Sequence, residues 1–381
     1  MELRNIQEPV IIALAANNEY VPYLAATVQS VAQNAQPFRP YEIYVLTGDI
    51  TLRNRELLKQ QMRSFPQVML EFVDVSPWQE RVKDLFVDQH FSVESYYRLL
   101  LPELLPQAPK VLYLDCDLVA CTDLAPLFDT SLGQHFLAGT LDVGALALLN
   151  DPESDWRSYL EETLKLASPQ HYFQAGVLVM NLERFRAELP TDELLAFAAQ
   201  NKLRFLDQDV LNALTAGNNL VVPMDWDVLM DSCGTRVAHV KQFASPEVRD
   251  QYLQARLAPK VVHYAGPDKP WNTVGVDLAE CFWAYARRTP FYEEAASQSM
   301  TQRVNKLESA AWQAVEGIWA RIGDIEVRIT NLETENAQLK QEIVRLEEEL
   351  ELKRQRTIKD FLFKKEKAVS GDSGKLEQSQ E

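Results

Sequence analysis

Residues 9–16 read PVIIALAA, a continuous apolar run of the kind a strand shows when both its faces are covered. A polar turn, NNEY, follows, and then a helical pattern through LAATVQSVAQNA. The alternation continues with YEIYVLTG as a strand, LRNRELLKQQMRSF as a helix and VMLEFVDV as a strand. Residues 92–105, SVESYYRLLLPELL, predict a helix with Ser92 as N-cap and Glu94 and Ser95 in its first turn. KVLYLDCD then supplies a further strand. Strands alternating with helices predict an α/β domain on a largely parallel, Rossmann-like sheet, here placed at residues 1–295.

After RRTPFYEEAASQS the period changes. Val315, Ile318, Ile322, Ile325, Ile329, Leu332, Leu339, Ile343, Leu346 and Leu350 fall at the spacing of a heptad repeat. With Ile322, Ile329, Asn336, Ile343 and Leu350 at a, the d positions are Ile318, Ile325, Leu332, Leu339 and Leu346. A polar Asn at a fixes register and favours dimers. The g-to-e′ pairs Arg321/Glu326, Arg328/Glu333, Glu335/Lys340 and Glu349/Arg354 attract, and Glu342/Glu347 repels. Residues 300–356 are therefore expected to form a parallel homodimeric coiled coil, whose helix from about 304 to 353 runs roughly 75 Å at 1.5 Å rise per residue. A heterodimer keeps the same pattern. Residues 357–381 are polar and read as a disordered tail. The Phe361-Leu362-Phe363 triplet beside lysines is a short candidate for peripheral membrane contact.

Composition narrows the function. A net charge of −17 speaks against nucleic-acid binding, which needs a basic counterpart to the phosphates. No stretch approaches the ~20 apolar residues of a spanning helix. The N-terminus carries Glu2 and Glu8 and reads as a first strand, not as a leader. Cys116, Cys121, Cys233 and Cys281 form no C-x-x-C pair and read as reduced thiols. The expected location is the cytoplasm, or peripherally the inner face of the membrane.

The candidate chemistry sits at strand ends, where ligands bind in such sheets. VLYLDCD ends in Asp115 and Asp117, one residue apart and on one side of an extended chain. Two such carboxylates repel unless a cation lies between them, and a hard divalent ion suits oxygen ligands. Acidic pairs also occur in loops that hold no ion. VVHYAGPDKPW places His263 at another strand end, then Gly266 and Lys269. A lone His is more often packed than ligating, but this one precedes a Gly that permits close approach. YFQAGVLVMNL sets small residues before a strand. FLDQDVLNAL puts Asp207, Gln208 and Asp209 at a helix start, where capping alone explains them.

Taken in order, AANNEYVPYLAATVQSV, SYYRLLLPELLP, KVLYLDCDLVACTDLAPLF, FQAGVLVMNLERFR, DQDVLN and VVHYAGPDKPW resemble glycosyltransferase family 8, over about residues 9–290. The resemblance implies a nucleotide-sugar-binding domain of GT-A type and a metal-dependent, retaining transferase. Asp115, Asp117 and His263 would hold Mn²⁺, with Mg²⁺ as the alternative, against the diphosphate of a UDP-sugar. Ala15, Asn17, Glu19 and Tyr20 would lie at the uridine. Arg98 and Lys269 would contact phosphate or sugar oxygens, with His90 and Gly266 beside the diphosphate. Gln174, Ala175, Asp207 and Gln208 would surround the donor sugar, and Asp142 would face the acceptor. Where the family usually has Asn-Ala-Gly, this chain has Gln174-Ala175-Gly176.

The resemblance implies transfer of a hexose, galactose or glucose, from UDP to a glycan or lipid-linked acceptor, as in lipopolysaccharide biosynthesis. Gln208, at the place of a back-side nucleophile, is a poor one, which favours a front-face route. Two rivals remain open at the level of sequence. One is a non-catalytic sugar- or nucleotide-binding module on a coiled-coil scaffold. The other is a nucleotidyltransferase, which would show a basic, Gly-rich first loop that AANNEY does not supply.

Overall fold

A computed structural model of the chain describes residues 8–87 and 92–371, with side chains as far as 367. The chain divides into two compact units, Met1–Lys306 and Leu307–Glu381.

The first unit is built on strands β1 (Val10–Ala15), β2 (Tyr41–Thr47), β3 (Val68–Asp74), β4 (Val111–Leu114), β5 (Leu118–Ala120), β6 (Leu137–Gly139), β7 (Val177–Met180), β8 (Asn219–Val221), β9 (Val228–Leu229) and β10 (Val261–His263). Seven of them form a sheet in the order β3-β2-β1-β4-β7-β6-β8, and β5-β10-β9 form a second, small sheet. From β3 to β4 every pairing is parallel. β7 runs antiparallel to both β4 and β6. Six of the seven strands therefore run in one direction, as expected of a largely parallel sheet, and β7 alone is reversed within it. No residue type distinguishes the two directions in short, fully buried strands such as VLYL and VLVM.

The helices that position the site are α1 (Val21–Asn34), α2 (Leu52–Met62), α3 (Val143–Asn150), α4 (Leu206–Leu214), α5 (Thr235–Phe243) and α6 (Ala279–Ala286). α1 covers the sheet with Leu24, Ala25 and Val28, which are fully buried. The segment expected as one helix from Ser92 is instead a 3₁₀ helix, Val93–Leu100, followed by a single α turn, Leu101–Leu104. Ser92 makes no side-chain cap there. Pro102 starts the α turn, where its fixed φ and missing N–H are tolerated.

α7 runs from Tyr292 to Gly371. The first unit reaches Lys306, past the expected limit of 295, because this stretch bonds to it: Gln298 accepts from Tyr23, Arg303 donates to Pro270 O and Lys306 pairs with Asp268. In the second unit the seam residues are exposed, among them Ile325, Leu339 and Leu350. The tail expected to be disordered from 357 is helical as far as Gly371. Lys359, Lys364, Lys365 and Lys367, with Leu362, Glu366 and Ala368, are good helix formers, and no Gly or Pro interrupts the stretch before Gly371. Among the described residues no helix is long and apolar enough to cross a membrane.

Candidate metal and donor site

β4 is buried along its whole length and stops at Leu114. The chain then bends through Asp115, Cys116 and Asp117 into β5. The bend is pinned from three sides. Asp115 N–H bonds to Gly176 O, Cys116 Sγ to Ala15 O, and Asp117 O accepts from Tyr264 N–H. β10 pairs antiparallel with β5, so His263 lies opposite Leu118. Residues far apart in sequence thus meet: ligand atoms of Asp115, Asp117 and His263 all lie within 4.8 Å of one another.

Gly176 makes this packing possible. A Cβ there would collide with the His263 ring and the Asp115 carboxylate. The need for a small residue ahead of β7 is therefore close approach by these two ligands.

His263 is almost fully buried, and its Nδ1 lies 2.8 Å from Asp227 Oδ1. Nε2 points the other way, 3.1 Å from Asp117 Oδ1. Burial opposes a charge on this imidazole, but Asp227 and Asp117 outweigh it and raise its pKa to about 10. Burial likewise pushes Asp117 up, yet Lys269 and His263 win and hold it well below the usual carboxylate range. Lys269 Nζ contacts Asp117 Oδ2 and donates to Tyr264 O at 2.6 Å. Asp227 is buried and its second oxygen has no hydrogen-bond partner among the described residues. Burial raises its pKa despite the neighbouring imidazole. Two carboxylates and an imidazole whose outer nitrogen is held by a third carboxylate form a donor set that fits a divalent cation.

A second network borders this cluster. Arg98 stacks on Tyr113, donates from Nη2 to Asp115 Oδ1 at 2.7 Å and from Nη1 to Ala175 O. Its Nε is 2.7 Å from Asp207 Oδ2, but that N–H is directed at Ser95 O, so Asp207 Oδ2 is charge-paired and has no hydrogen-bond partner among the described residues. Burial pushes the Asp207 carboxyl up to about 7 against the pull of Arg98. Gln208 is held at both ends: Oε1 accepts from Ala175 N–H and Nε2 donates to Asp142 Oδ2, each at 2.9 Å. Asp142 also caps α3 by accepting from Ala145 N–H. Gln174 Oε1 accepts from Gly176 N–H.

Asp142, Gln174, Ala175, Asp207, Gln208, Arg98, Asp115, Asp117, His263 and Lys269 thus belong to one contiguous region. The first loop is less committed. Asn17 Oδ1 accepts from Tyr20 N–H at 3.0 Å, so it closes the turn that leads into α1. Glu19 is exposed. Tyr20 packs edge-on against Trp271 and is raised by burial first and by Asp117 next. Ala15 contributes its carbonyl to Cys116. Gly266 takes a left-handed φ of 103°, which turns the chain from β10 toward Lys269. His90 lies outside the described residues. Asp209, which reads as a cap in the sequence, is fully buried and accepts from Tyr159, Tyr172 and the Arg204 and Phe205 N–H groups. Asp227 escaped sequence reading because only the tertiary fold brings it to His263.

General stress protein A of Bacillus subtilis (strain 168) is 24% identical over 273 residues, covering 69% of this chain and 87% of that protein. Lipopolysaccharide 1,3-galactosyltransferase of Salmonella typhimurium is 23% identical over 252 residues, covering 63% of this chain and 67% of that one. Among solved structures, the bifunctional glycosyltransferase WbbM superposes with a TM-score of 0.67 at 28% identity, covering 78% of this chain and 53% of WbbM. The galactosyltransferase LgtC, solved with donor and acceptor sugar analogues, gives a TM-score of 0.61 at 26% identity, covering 74% of this chain and 96% of LgtC. Residues 11–275 match the family model described as Glycosyl transferase family 8. That span is well over half of the chain, which therefore belongs to glycosyltransferase family 8 and is a glycosyltransferase.

Proposed function

We propose that the chain transfers a hexose, galactose or glucose, from a UDP-sugar to a glycan or lipid-linked acceptor with retention of anomeric configuration. The observation that carries this is the convergence of Asp115, Asp117 and His263 around Gly176 in a member of this family.

In this reading Asp115, Asp117 and His263 hold Mn²⁺ or Mg²⁺. When bound, the cation supplies Lewis-acid stabilisation to the departing diphosphate. Lys269, which follows the left-handed turn at Gly266, adds a positive charge held against Asp117 and Tyr264 O, and Arg98 fixes Asp115 and the Ala175 carbonyl. Asp142 and Gln208 orient the sugars. Both ends of the Gln208 amide are engaged within the protein, which supports a front-face route in which the acceptor hydroxyl attacks on the side the leaving phosphate occupies. Asp207, paired with buried Arg98, acts as a support for that cation and not as a nucleophile. Residues 300–356 pair in parallel with a second copy through the exposed heptad seam.

The test is release of UDP from UDP-galactose, UDP-glucose, UDP-N-acetylglucosamine and UDP-N-acetylgalactosamine, each with Mn²⁺ or with EDTA. Metal-dependent release from UDP-galactose or UDP-glucose is expected. Absence of both release and UDP binding would sink the assignment, and binding without release, in the presence of candidate acceptors, would point to a binding module.

A further inference from the structure

Arg236 and Arg303 each have a buried Nε without a partner among the described residues; Arg303 turns to Pro270 O, whereas Arg236 lies beside Asp142 and Gly266. Arg39, Arg98 and Arg256 each pair with a carboxylate, Asp129, Asp115 and Asp277. Arg236 is half-buried, yet no carboxylate among the described residues lies within ion-pair distance of it. Its guanidinium makes one hydrogen bond among those residues, from Nη2 to Ala265 O at 3.1 Å. Nε is buried and finds no partner among them.

The surroundings place this cation in the cleft. Arg236 is on α5, and Nη1 lies 2.8 Å from the point a Cβ on Gly144 would occupy, with Asp142 Oδ1 3.3 Å from the same point. Nη2 lies 3.8 Å from the corresponding point on Gly266. The guanidinium therefore sits between the start of α3, which Asp142 caps, and the turn that leads to Lys269. Gly144 occupies the first turn of a helix, where a residue with a Cβ is ordinarily preferred. Here that atom would push Arg236 aside.

A half-buried guanidinium with free N–H groups is costly unless an anion completes it, and its fork matches phosphate or carboxylate oxygens. We propose that Arg236 is a substrate-binding residue that receives a phosphate-class anion at the junction of the donor and acceptor sides of the cleft. The inference rests on the sugar-nucleotide reading above. Two sources carry that chemistry: the donor's diphosphate, next to Gly266, or an anionic group on the acceptor, next to Asp142.

The experiment compares wild type with Arg236→Gln, Arg236→Lys and Gly144→Ala. UDP affinity is read by calorimetry, UDP release from the donor without acceptor by a coupled assay, and folding by thermal melting. If the diphosphate is the anion, Arg236→Gln weakens UDP by about tenfold or more and slows donor hydrolysis. Arg236→Lys then recovers part of the loss. Gly144→Ala reproduces the loss without lowering the melting temperature, and the double variant is no worse than Arg236→Gln. If the anion is on the acceptor, UDP affinity and hydrolysis stay unchanged. Competition by inorganic phosphate or pyrophosphate against transfer then weakens in the variants. Wild-type UDP binding with no change in affinity, hydrolysis or anion competition in any variant would overturn the proposal. Absence of wild-type UDP binding would instead remove the reading on which it stands.

Discussion

The two compact units of this chain put charge and apolar surface in opposite places. In the first, Arg98, Asp207, Asp227 and His263 are all buried, each against a named partner. In the second, Ile325 is 58% and Leu350 66% exposed, while the charged residues lie alongside them in solvent. Burying charge is expensive, so a fold retains it where the charge has a task or a partner. Leaving a periodic apolar stripe in water is also unfavourable, so such a stripe marks where another surface belongs. One unit advertises ligand chemistry by what it hides, and the other advertises pairing by what it shows.

The largest expected effect tests the first half of that contrast. Asp117→Asn removes a charge on which both Lys269 and His263 converge. Donor-sugar transfer should fall by about a thousandfold, the scale of several kcal/mol of charge stabilisation. Circular dichroism should stay native. Near-normal turnover in this variant would take the cation away from the cluster.

The second half is tested by Leu339→Glu with Leu346→Glu, both at d of the heptad. If the proposed pairing holds, light scattering should show a dimer for wild type and a monomer for this variant, while UDP release per chain changes by no more than about twofold, as for independent sites. Persistence of the dimer would move the pairing surface elsewhere.

A smaller effect separates positioning from ligation. Asp227→Asn keeps the shape but loses the carboxylate that fixes Nδ1 of His263. Mn²⁺ affinity, measured by electron paramagnetic resonance, should drop by about 10- to 100-fold while the melting temperature stays close to wild type. Unchanged affinity would make Asp227 a packing residue.

The smallest effect concerns pH. The Asp207 pKa is about 7 in the folded chain against an ordinary 3.8. Between these values the native state keeps a proton that the unfolded chain has released. Stability from this group therefore falls as pH rises through that window. Relative to Asp207→Asn, which cannot titrate, the urea midpoint of wild type should decline from about pH 4 to about pH 7. A parallel pair of curves would show that Arg98 keeps Asp207 ionised throughout.

The early strands were readable because each is a short apolar run bounded by turn residues. β1, β2 and β3 lie inside the runs expected for them. The acid pair and His263 were readable because strand ends are where such chemistry collects. The direction of β7 was not, since direction follows from tertiary connections and not from side-chain pattern. The 3₁₀ geometry at Val93–Leu100 was hidden behind a spacing that suits either helix. Asp227 and Arg236 were invisible for a related reason. Each earns its place by a neighbour far along the chain, His263 for one and Gly144 for the other. Gln208 was singled out in the sequence beside Asp207, but the engagement of both ends of its amide was not legible there.

Gly176 carries a consequence for how such a protein could fall silent. The room it leaves is filled from the other side by His263 and Asp115, so the site tolerates no added volume at that point. A single methyl group, with no change of charge and none of the acidic signature removed, would spread the ligand atoms apart. A descendant of this chain with alanine there would still display every acid and the histidine to anyone scanning its sequence. It would nevertheless be a decoy, folded and with its long C-terminal helix unchanged while its ligand cluster is gone.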